Sequence, residues 1–567
     1  MCGIIGRISK NKNNEKIVKA LKKLEYRGYD SYGIFLKDLE NKKFFVDKNI
    51  GCLDLDNFDF GFKSNIEIGH TRWATHGRVE QKNAHPHFSN CERFFCVMNG
   101  IIENFSEIRQ EFSSYDWNSD CDSEIIPVLF SLFFDGNLVS TYKKVISKLS
   151  GEFSFVINFE DKLLVHKNSN PIIIGKNSDE FIISSDNNII QELCDEFVVL
   201  DDDDFCLIDS ELSFSYLNKV LKRTLKKNVN IKEIKTTTFM ESEILEQKNL
   251  KNIFFDENLK NIYELVDKIK NCNKKIILSA AGTSFHACLF FHYKLLECGI
   301  LSQVILASEF ENYLDIIDDD FLIIVFSQSG ETGDLIRPLK ILSQNCVEIV
   351  SVLNNRNSSI EYLSKSCVFL NCGEEISVAS TKAFGFQIFI IEVISDLLKY
   401  NSLKKISKRI NFISDNFEVE VDKIFKKVDE IIFNYDIDKV FFIGRNSLFP
   451  IALEGALKLK EVSYMHSEGF AGGELKHGSL ALVDTKTLVF CLDNNSDILS
   501  NAIEIKTRGG IIIGLGTIQS TEFDDFIKTD DLIFMIIALQ IIGLKFSLSL
   551  GLSPDKPRNL AKSVTVR

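Results

Sequence analysis

Leu322-Ile323-Ile324-Val325-Phe326-Ser327-Gln328-Ser329-Gly330-Glu331-Thr332 joins an apolar run to a hydroxyl-rich turn, and a helical pattern follows from Asp334. Consecutive apolar residues bounded by turn residues are typical of a fully buried strand. Further strand-like runs in the same half are Lys275–Ala280, Val347–Leu353 and Cys367–Leu370. Strands that alternate with helices predict parallel α/β layers in the second half of the chain.

The hydroxyl-rich turn is a candidate anion site. At a helix N-terminus the backbone N–H groups point outward and the helix dipole favours negative charge, while serine and threonine hydroxyls add donors. Because the turn has no P-loop lysine, a sugar phosphate fits it better than a nucleoside triphosphate. Gly282-Thr283-Ser284 ends the preceding strand and would line the same pocket. The alternative for a single serine is a helix cap, but the density of hydroxyls favours phosphate.

The second half also contains a weak internal repeat. Ile276–Ser284 parallels Val440–Ser447, and downstream Ala307–Phe310 parallels His466–Phe470. Agreement in order and spacing predicts two copies of one α/β module, near residues 255–400 and 425–550.

The first part of the chain, to about residue 225, has a different rhythm. Helical patterns are few, the clearest at Glu15–Leu24 and Ser123–Phe134. Short strand-like runs broken by turns are more frequent: Phe94–Met98, Phe153–Asn158, Leu163–His166, Phe181–Ser184 and Glu196–Leu200. This mixture predicts an α+β domain with sizeable sheets, and the basic stretch Lys222–Lys235 after it is a candidate linker.

The chain opens with Met1-Cys2-Gly3-Ile4-Ile5-Gly6. A small second residue permits removal of Met1, after which Cys2 would carry both a thiol and a free α-amine. An α-amine has an ordinary pKa of about 7.7–8, so it is partly a free base near neutral pH and can activate the thiol. The commoner alternative for a cysteine is a small buried residue that opens a strand. The motifs that follow favour the nucleophile.

Three polar motifs in the first part suit amide chemistry: Arg72-Trp73-Ala74-Thr75-His76-Gly77, Asn99-Gly100 and Asp120-Cys121-Asp122-Ser123-Glu124. An arginine can clamp a carboxylate through two hydrogen bonds, and an asparagine amide beside a glycine N–H can form an oxyanion hole. Each has an ordinary alternative: a surface ion pair for Arg72, a hairpin turn for Asn99-Gly100 and a helix N-cap for Asp122.

With Leu24-Glu25-Tyr26-Arg27-Gly28-Tyr29-Asp30-Ser31 and Asn83-Ala84-His85-Pro86-His87, these motifs resemble the N-terminal-nucleophile, or class II, glutamine amidotransferases. The resemblance implies an αββα sandwich in which Cys2 attacks the side-chain amide of glutamine, with its own α-amine as base. Asn99 and Gly100 would hold the oxyanion. The implied glutamine pocket contains Arg72 for the α-carboxylate, Asp122 for the α-ammonium, and Trp73, Thr75 and His76 as lining, with Trp73 as a gate.

Three residues of the second half are candidates for proton transfer or amine chemistry. Glu461 lies in the helical pattern Glu454–Val462, where a lone glutamate is usually a solvated charge. His477 precedes a glycine on a loop and suits acid–base work, although a structural histidine is as common. Lys562 lies in the last residues of the chain, where an exposed, inert lysine is the usual finding.

Over its whole length the chain resembles the isomerising glutamine–fructose-6-phosphate aminotransferases, whose second half consists of two sugar isomerase (SIS) domains. The motifs that carry this are Ser327–Thr332, Val378–Phe384, Ala456–Glu461, Glu474–Gly478 and Pro557–Val566. The resemblance implies that His477 opens the fructose ring, Lys562 forms a Schiff base at C2 and Glu461 moves a proton between C1 and C2. The implied sugar-phosphate site consists of Thr283, Ser284, Ser327, Gln328, Ser329 and Thr332, with Val378, Ser380 and Lys458 nearby.

The implied reaction converts D-fructose 6-phosphate and L-glutamine to D-glucosamine 6-phosphate and L-glutamate, the first step of UDP-GlcNAc synthesis. Ammonia would pass through a channel closed by the C-terminal tail, and a homodimer would donate His477 from the neighbouring subunit. We expect a glutaminase domain over residues 2–225, a linker over 226–250, α/β SIS domains with parallel sheets over 251–405 and 420–550, and a tail over 551–567. Ala281 and Ser479 replace a cysteine and a proline usual in the family.

Composition narrows the partners. A formal net charge of −14 argues against nucleic acid or an anionic membrane as a main partner. The 14 cysteines include no CxxC pair and no signal peptide precedes them, which indicates reduced thiols in the cytoplasm. The apolar run Leu532–Leu544 is too short to span a bilayer and predicts a buried helix. We expect neither a cofactor nor a metal.

Two other kinds of function remain open. A different class II amidotransferase, such as a glutamine phosphoribosyl-pyrophosphate amidotransferase or asparagine synthetase, would need a phosphoribosyl or ATP-pyrophosphatase motif in the second half, and we find neither. A non-catalytic sugar-phosphate sensor built on SIS domains would have no reason to keep Cys2 or a lysine in a defined tail. It would also be expected to carry a DNA-binding element.

Overall fold

The computed structural model describes residues 2–562 except 216–220, 225–233, 235, 256, 272–273, 494–495 and 518. These residues form two compact units, the first up to residue 224 and the second from residue 234 to 562. Part of the predicted linker and the end of the predicted tail lie outside the described residues.

The first unit is built mainly from strands. They are β1 Gly3–Ser9, β2 Ser31–Asp38, β3 Lys43–Ile50, β4 Ile66–Arg72, β5 His87–Phe88, β6 Phe94–Ile102, β7 Gly151–Phe159, β8 Lys162–His166, β9 Ile173–Lys176, β10 Glu180–Ser184, β11 Glu196–Val199, β12 Phe205–Asp209, β13 Phe214–Ser215 and β14 Leu221–Thr224. Its helices are α1 Glu15–Lys23, α2 Phe105–Glu111, α3 Ile125–Phe133, α4 Leu138–Ile146 and α5 Asn187–Leu193.

Two antiparallel sheets stack face to face in this unit. The eight-stranded sheet has the order β14-β11-β9-β10-β1-β4-β2-β3, and the six-stranded sheet has the order β13-β12-β8-β7-β6-β5. Because successive strand residues point to opposite faces, Ile4 and Val97 fill the space between the sheets. Their neighbours Ile5 and Met98 pack outward against α1 and against α3 and α4, respectively. The predicted αββα sandwich is confirmed.

The second unit alternates helices and parallel strands. Its helices are α6 Phe239–Glu246, α7 Asn258–Asn271, α8 Gly282–Leu296, α9 Gly333–Gln344, α10 Ser359–Leu363, α11 Lys382–Tyr400, α12 Lys404–Asn434, α13 Leu448–Ser463, α14 Ser496–Lys506 and α15 Leu532–Ser549. Its strands are β15 Lys275–Ala280, β16 Ser302–Leu306, β17 Phe321–Ser327, β18 Glu348–Leu353, β19 Ser366–Phe369, β20 Lys439–Gly444, β21 His466–Ala471, β22 Thr487–Asp493, β23 Ile511–Gly516 and β24 Asp525–Lys528.

The two parallel sheets of this unit have one topology. Their orders, β16-β15-β17-β18-β19 and β21-β20-β22-β23-β24, match strand for strand, which confirms the predicted duplication. The register of the downstream match was wrong. In the first copy Ala280 lies opposite Leu306, and in the second Gly444 lies opposite Ala471. Leu306 in the first copy therefore corresponds to Ala471 in the second, and Ala307–Phe310 corresponds to residues 472–475. The pairing of the edge strand sets this alignment, and the short Ser-Glu sequence match does not.

The predicted linker is partly helical. Residues 239–254 form α6 and a 3₁₀ helix, and they bury Met240, Ile244 and Leu250 in the core of the second unit. The helix α12 likewise spans the interval left between the two predicted SIS domains. Apolar side chains in these segments explain why they pack instead of remaining extended.

The apolar run predicted to end at Leu544 continues to Ser549, so α15 has the length and composition of a membrane span. The prediction that the run is too short was therefore wrong. The helix is 78% buried inside the protein, as predicted for a core helix. Its interior Gln540 donates to the carbonyl oxygen of Thr381 at 2.9 Å and accepts from Nε2 of Gln247 at 2.7 Å. Both polar ends of this buried amide are thus paired.

Candidate active sites

Cys2 stands immediately before β1 and is half-buried. The peptide of Trp73 holds its thiol: the Trp73 N–H donates to Sγ at 3.2 Å, and Sγ donates to the Trp73 carbonyl oxygen at 3.4 Å. Pairing of Gly3 with Thr71 brings the loop after β4 to this position. Burial raises the pKa of the Cys2 thiol, against the opposing effects of the Trp73 N–H and Arg72. Thiolate formation therefore requires a base.

Asn99 lies on β6 beside the nucleophile. Its Nδ2 donates to the carbonyl oxygen of Cys2 at 3.1 Å. The Nε2 atom of His70 lies 2.9 Å from the Met98 carbonyl oxygen and 3.1 Å from Oδ1 of Asn99. Both of these oxygens accept, so Nε2 of His70 carries the proton, and the Asn99 amide is fixed with its N–H groups towards Cys2.

The Asn99-Gly100 pair lies inside β6, so the hairpin-turn alternative was wrong. Gly100 has φ +109°, and a Cβ at this position would lie 2.1 Å from the Glu152 carbonyl oxygen and 2.6 Å from Cα of Phe153. The close approach of β7 therefore requires glycine.

Arg72 ends β4 and is buried. Its Nη2 donates to the carbonyl oxygens of His76 at 2.6 Å and Gly77 at 3.0 Å, and its Nη1 donates to that of Arg78 at 3.3 Å. Among the described residues no carboxylate forms an ion pair with Arg72, so the surface ion pair was wrong. The Arg72 guanidinium is buried among neutral groups, so its positive charge is not neutralised within the protein and is available to bind the carboxylate of a ligand.

Asp122 is buried in the 3₁₀ helix Asp122–Glu124, and Cys121 holds the N-cap position. Oδ2 of Asp122 accepts from the N–H of Ile102 at 2.9 Å. The helix-cap alternative was therefore wrong. Burial raises the pKa of Asp122, and the Ile102 N–H opposes this effect.

The remaining residues of the predicted glutamine pocket lie on the loop after β4. The ring of Trp73 packs edge-on against Tyr29 with centroids 5.7 Å apart, and His76 packs edge-on against Phe105 at 5.1 Å. Thr75 is exposed between them.

The predicted phosphate turn joins β17 to α9. The hydroxyl groups of Ser327 and Thr332 lie 2.9 Å apart, and the Gly330 N–H donates to Oγ of Ser327 at 3.0 Å. Oγ of Ser329 accepts from the Glu331 N–H at 3.1 Å, and Gln328 lies in the same turn. Thr332 holds the N-cap position of α9 without a side-chain cap bond. The turn is therefore pre-shaped at a helix N-terminus.

Thr283 and Ser284 lie in the first turn of α8, directly after β15. Because β15 and β17 are paired in parallel, their carboxyl ends meet at the same edge of the sheet as the phosphate turn. The loop after β19 reaches this edge with Val378 and Ser380, and the Val378 N–H donates to the carbonyl oxygen of Asp555 at 3.2 Å.

A charged row on α13 faces this edge. Nζ of Lys458 lies 2.6 Å from Oε2 of Glu461 and 3.4 Å from Oε1 of Glu454. Glu454 also accepts from Oγ1 of Thr283 at 3.1 Å and lies 2.7 Å from Nδ1 of His286, which joins α13 to α8. Burial raises the pKa of Glu461, and Lys458 opposes this effect. The solvated-charge alternative for Glu461 was therefore wrong.

Lys562 is buried and held by an ion pair. Its Nζ lies 2.5 Å from Oε2 of Glu375, and both side chains are at most 3% exposed. Upstream in the tail, Asp555 caps α6 by accepting from the N–H groups of Phe239 at 2.9 Å and Met240 at 2.8 Å. The frayed-tail alternative for Lys562 was wrong, because these contacts fix the segment that carries it.

His477 is not part of this hydrogen-bonded cluster among the described residues. It is exposed at the end of the 3₁₀ helix Glu474–His477, and no hydrogen bond or ion pair in the described part of the chain joins it to Lys458, Glu461 or Lys562.

Comparisons with known proteins identify the family of this chain. A family model of the glutamine amidotransferase domain matches residues 70–192, and one of the SIS domain matches residues 268–395 and 435–550. The chain is 34% identical over 620 residues to the glutamine–fructose-6-phosphate aminotransferase (isomerizing) of Fusobacterium nucleatum, and 34% identical over 607 residues to that of Campylobacter jejuni. Each alignment covers 100% of both chains. This chain belongs to the family of isomerising glutamine–fructose-6-phosphate aminotransferases.

A solved structure agrees with the family assignment. The C-terminal domain of glucosamine-fructose-6-phosphate aminotransferase from Francisella tularensis is 29% identical to this chain, with a TM-score of 0.50. The match covers 57% of this chain and 98% of that one.

Sequence reasoning missed several polar residues at these aminotransferase sites. Glu454 had a detectable signal, because it stands four residues before Lys458 and seven before Glu461, on one helix face. His70 and Glu375 had none, since their partners are distant in sequence.

No cluster of metal-ligating side chains is found in the described ranges.

Proposed function

We propose that this chain converts D-fructose 6-phosphate and L-glutamine to D-glucosamine 6-phosphate and L-glutamate. The observation that carries the proposal is the presence in one chain of a thiol site beside Asn99 and of a second unit that contains both a buried lysine site, Lys562, and a hydroxyl-rich helix N-terminus. The full-length likeness to the aminotransferases supports the same reaction.

In the first unit, the Cys2 thiolate attacks Cδ of glutamine after Met1 has been removed, and the α-amine of Cys2 takes the thiol proton. The Asn99 amide and the Gly100 N–H stabilise the oxyanion. Arg72 holds the α-carboxylate and Asp122 the α-ammonium, while Trp73, Thr75 and His76 line the pocket. The α-ammonium returns its proton to the amide nitrogen, which leaves as ammonia, and water then hydrolyses the thioester.

In the second unit, the turn Ser327–Thr332 with Thr283 and Ser284 holds the phosphate, while Val378, Ser380 and Lys458 lie near the sugar. After ring opening, Lys562 forms an imine at C2 and is displaced by ammonia. Glu461 carries the proton from C1 to C2, and its raised pKa suits proton transfer.

His477 opens the ring from a second copy of the chain, in a cytoplasmic homodimer. Its exposure, apart from Lys458 and Lys562, supports this arrangement.

One assay tests the proposal. The full-length protein is mixed with fructose 6-phosphate and glutamine labelled with ¹⁵N in the amide, and glucosamine 6-phosphate is measured by mass spectrometry. We expect ¹⁵N in the product, none from Cys2→Ala, and retained fructose 6-phosphate to glucose 6-phosphate isomerisation in that variant. Lys562→Ala should form no amino sugar while still hydrolysing glutamine.

Other outcomes would identify the alternatives. Binding of fructose 6-phosphate without turnover would favour a sensor, and glutamine hydrolysis without the amino sugar would favour another amidotransferase. Intact mass measurement checks that Met1 is removed; full activity with Met1 retained would refute the nucleophile assignment.

A further inference from the structure

Lys562 cannot begin imine chemistry as an ammonium ion, since the attacking nitrogen needs a free electron pair. The buried cation has one immediate carboxylate partner, Oε2 of Glu375 at 2.5 Å. Both side chains are shielded from water. Reaction at C2 therefore needs a group within the site that can accept this proton.

Glu375 is oriented for this task. Its Oε1 accepts from the N–H groups of Thr381 at 2.9 Å and Ala383 at 3.1 Å, where α11 begins. Its Oε2 accepts from Lys562 and from the hydroxyl of Ser380 at 3.1 Å. One oxygen is thus fixed by the backbone, and the other faces the nucleophile and a residue proposed to lie near the sugar.

The charged groups around this pair have hydrogen-bond partners of their own. Lys382 is committed to Glu246 on α6, with Nζ and Oε2 2.6 Å apart. Burial and the repulsion of Glu375 raise the pKa of Glu243 to about 8, and Lys562 opposes this effect. Oε1 of Glu243 accepts from the Ser377 N–H at 3.0 Å. The titratable groups that face the pair are Glu243 and Glu246 on α6, Cys372 after β19, Lys382 on α11, and Lys458 and Glu461 on α13.

We propose that Glu375 is a catalytic acid–base residue that takes the Lys562 ammonium proton and returns it to the departing C2 oxygen. This rests on the proposed function, since it requires a carbonyl substrate at Lys562. It adds a residue to the reaction and is distinct from the role of Glu461 between C1 and C2.

The step balances. Glu375 accepts one proton from Nζ, and the neutral amine adds to the C2 carbonyl, where the second nitrogen proton moves to oxygen and gives a carbinolamine. The protonated Glu375 then donates to this hydroxyl, which leaves as water while the nitrogen electron pair forms the C=N bond. The positive charge of the Lys562 ammonium before the reaction is matched by the positive charge of the iminium after it, and Glu375 is again a carboxylate.

The test compares trapping rates in the full-length protein. Wild type and Glu375→Gln are incubated with fructose 6-phosphate and cyanoborohydride at pH 7, and mass spectrometry follows reductive attachment of the sugar to Lys562. Glutamine keeps the oxygen that accepts from Thr381 and Ala383 but cannot take a proton. We expect trapping to slow by about 10²–10⁴-fold, the usual contribution of general acid–base catalysis, and Glu375→Asp to recover part of the rate.

The sign of the effect separates this role from simple charge pairing. If Glu375 only holds the ammonium by electrostatic attraction, its removal frees the amine, and trapping becomes as fast as in wild type or faster. Either result would overturn the proposal.

Glu246→Gln is the matched control, because it removes a buried carboxylate of the same cluster that pairs with Lys382. Its trapping rate should stay within a few-fold of wild type; an equal slowing would overturn the proposal as a general charge effect. Retained binding of fructose 6-phosphate by Glu375→Gln in calorimetry shows that the second unit, which carries the change, is folded. Absence of trapping in wild type would refute the Schiff-base function itself.

Discussion

Acid should destabilise the first unit through His70, and the His70→Gln variant should reduce that effect. His70 is fully buried on β4, and its ring stacks on that of His85 with centroids 3.9 Å apart. Its Nε2 donates to the oxygens of Met98 and Asn99. A glutamine amide can donate to the same two oxygens but does not titrate in this range. The substitution therefore removes a proton-binding group while it keeps donors for those acceptors.

The size of the effect follows from the pKa. Burial and the charge of Arg72 lower the pKa of His70 to about 3 in the folded protein, against about 6.5 in an unfolded chain. Well above pH 6.5 neither state is protonated, so His70 contributes no pH dependence there. Below it the unfolded state binds a proton that the folded state excludes, and the free energy of unfolding falls until about pH 3. At a limiting slope of about 1.4 kcal/mol per pH unit, the loss of unfolding free energy from pH 7.5 to 5.0 is about 2 kcal/mol.

The assay uses the location of the two tryptophans, Trp73 and Trp117, both in the first unit. Their fluorescence follows urea unfolding of this unit at pH values from 7.5 to about 5. Other groups also titrate: the lowered pKa values of His85 and His87 act with His70, and Glu67, whose pKa burial raises to about 7, acts in the opposite direction.

Only the difference between wild type and variant isolates His70. Between pH 6 and 5 the stability of His70→Gln should depend on pH less steeply, by about 1.4 kcal/mol per pH unit. Equal slopes in the two proteins would refute the claim that His70 stays neutral when folded. His466→Gln, at an exposed histidine of the second unit, should leave the slope unchanged.

Two further changes test the substrate sites. Arg72→Lys keeps the positive charge but loses the guanidinium fork that donates to the carbonyl oxygens of the loop. The KM for glutamine in steady-state kinetics should rise about 10- to 100-fold, as expected for a lost charged hydrogen bond. An unchanged KM would contradict the carboxylate-binding role of Arg72. Gly330 has φ +69°, and the Cβ added by Gly330→Ala would lie 2.0 Å from Oγ of Ser358. This strain costs about 1 kcal/mol or more, so the Kd for fructose 6-phosphate, measured by calorimetry, should rise at least about fivefold. Gly299→Ala is the control, because Gly299 has φ +76° but no atom lies within 4 Å of the added Cβ. This variant therefore has the backbone strain without the clash. A similar loss of binding in Gly299→Ala would refute a specific effect at the phosphate turn.

Features that depend on adjacent residues could be predicted from the sequence. The turn Ser327–Thr332 lies between a strand and a helix because an apolar run and a helical pattern flank it directly. The α/β duplication followed from order and spacing, but its downstream register did not, since the edge-strand pairing of Gly444 with Ala471 sets it. Local patterns alone left a helix cap open for Asp122 and a hairpin turn open for Asn99-Gly100, because these features have short signatures that many sites share.

Cys2, Asn99 and Lys562 could be identified as candidate functional residues from the sequence through the family resemblance that their motifs carry. The structure adds the groups that orient them: His70 fixes the Asn99 amide, and Glu375 faces Lys562 across 187 positions of the chain. No local pattern encodes such pairs. They form only when distant segments are buried together, and desolvation then makes an unpaired charge costly enough to require a specific partner.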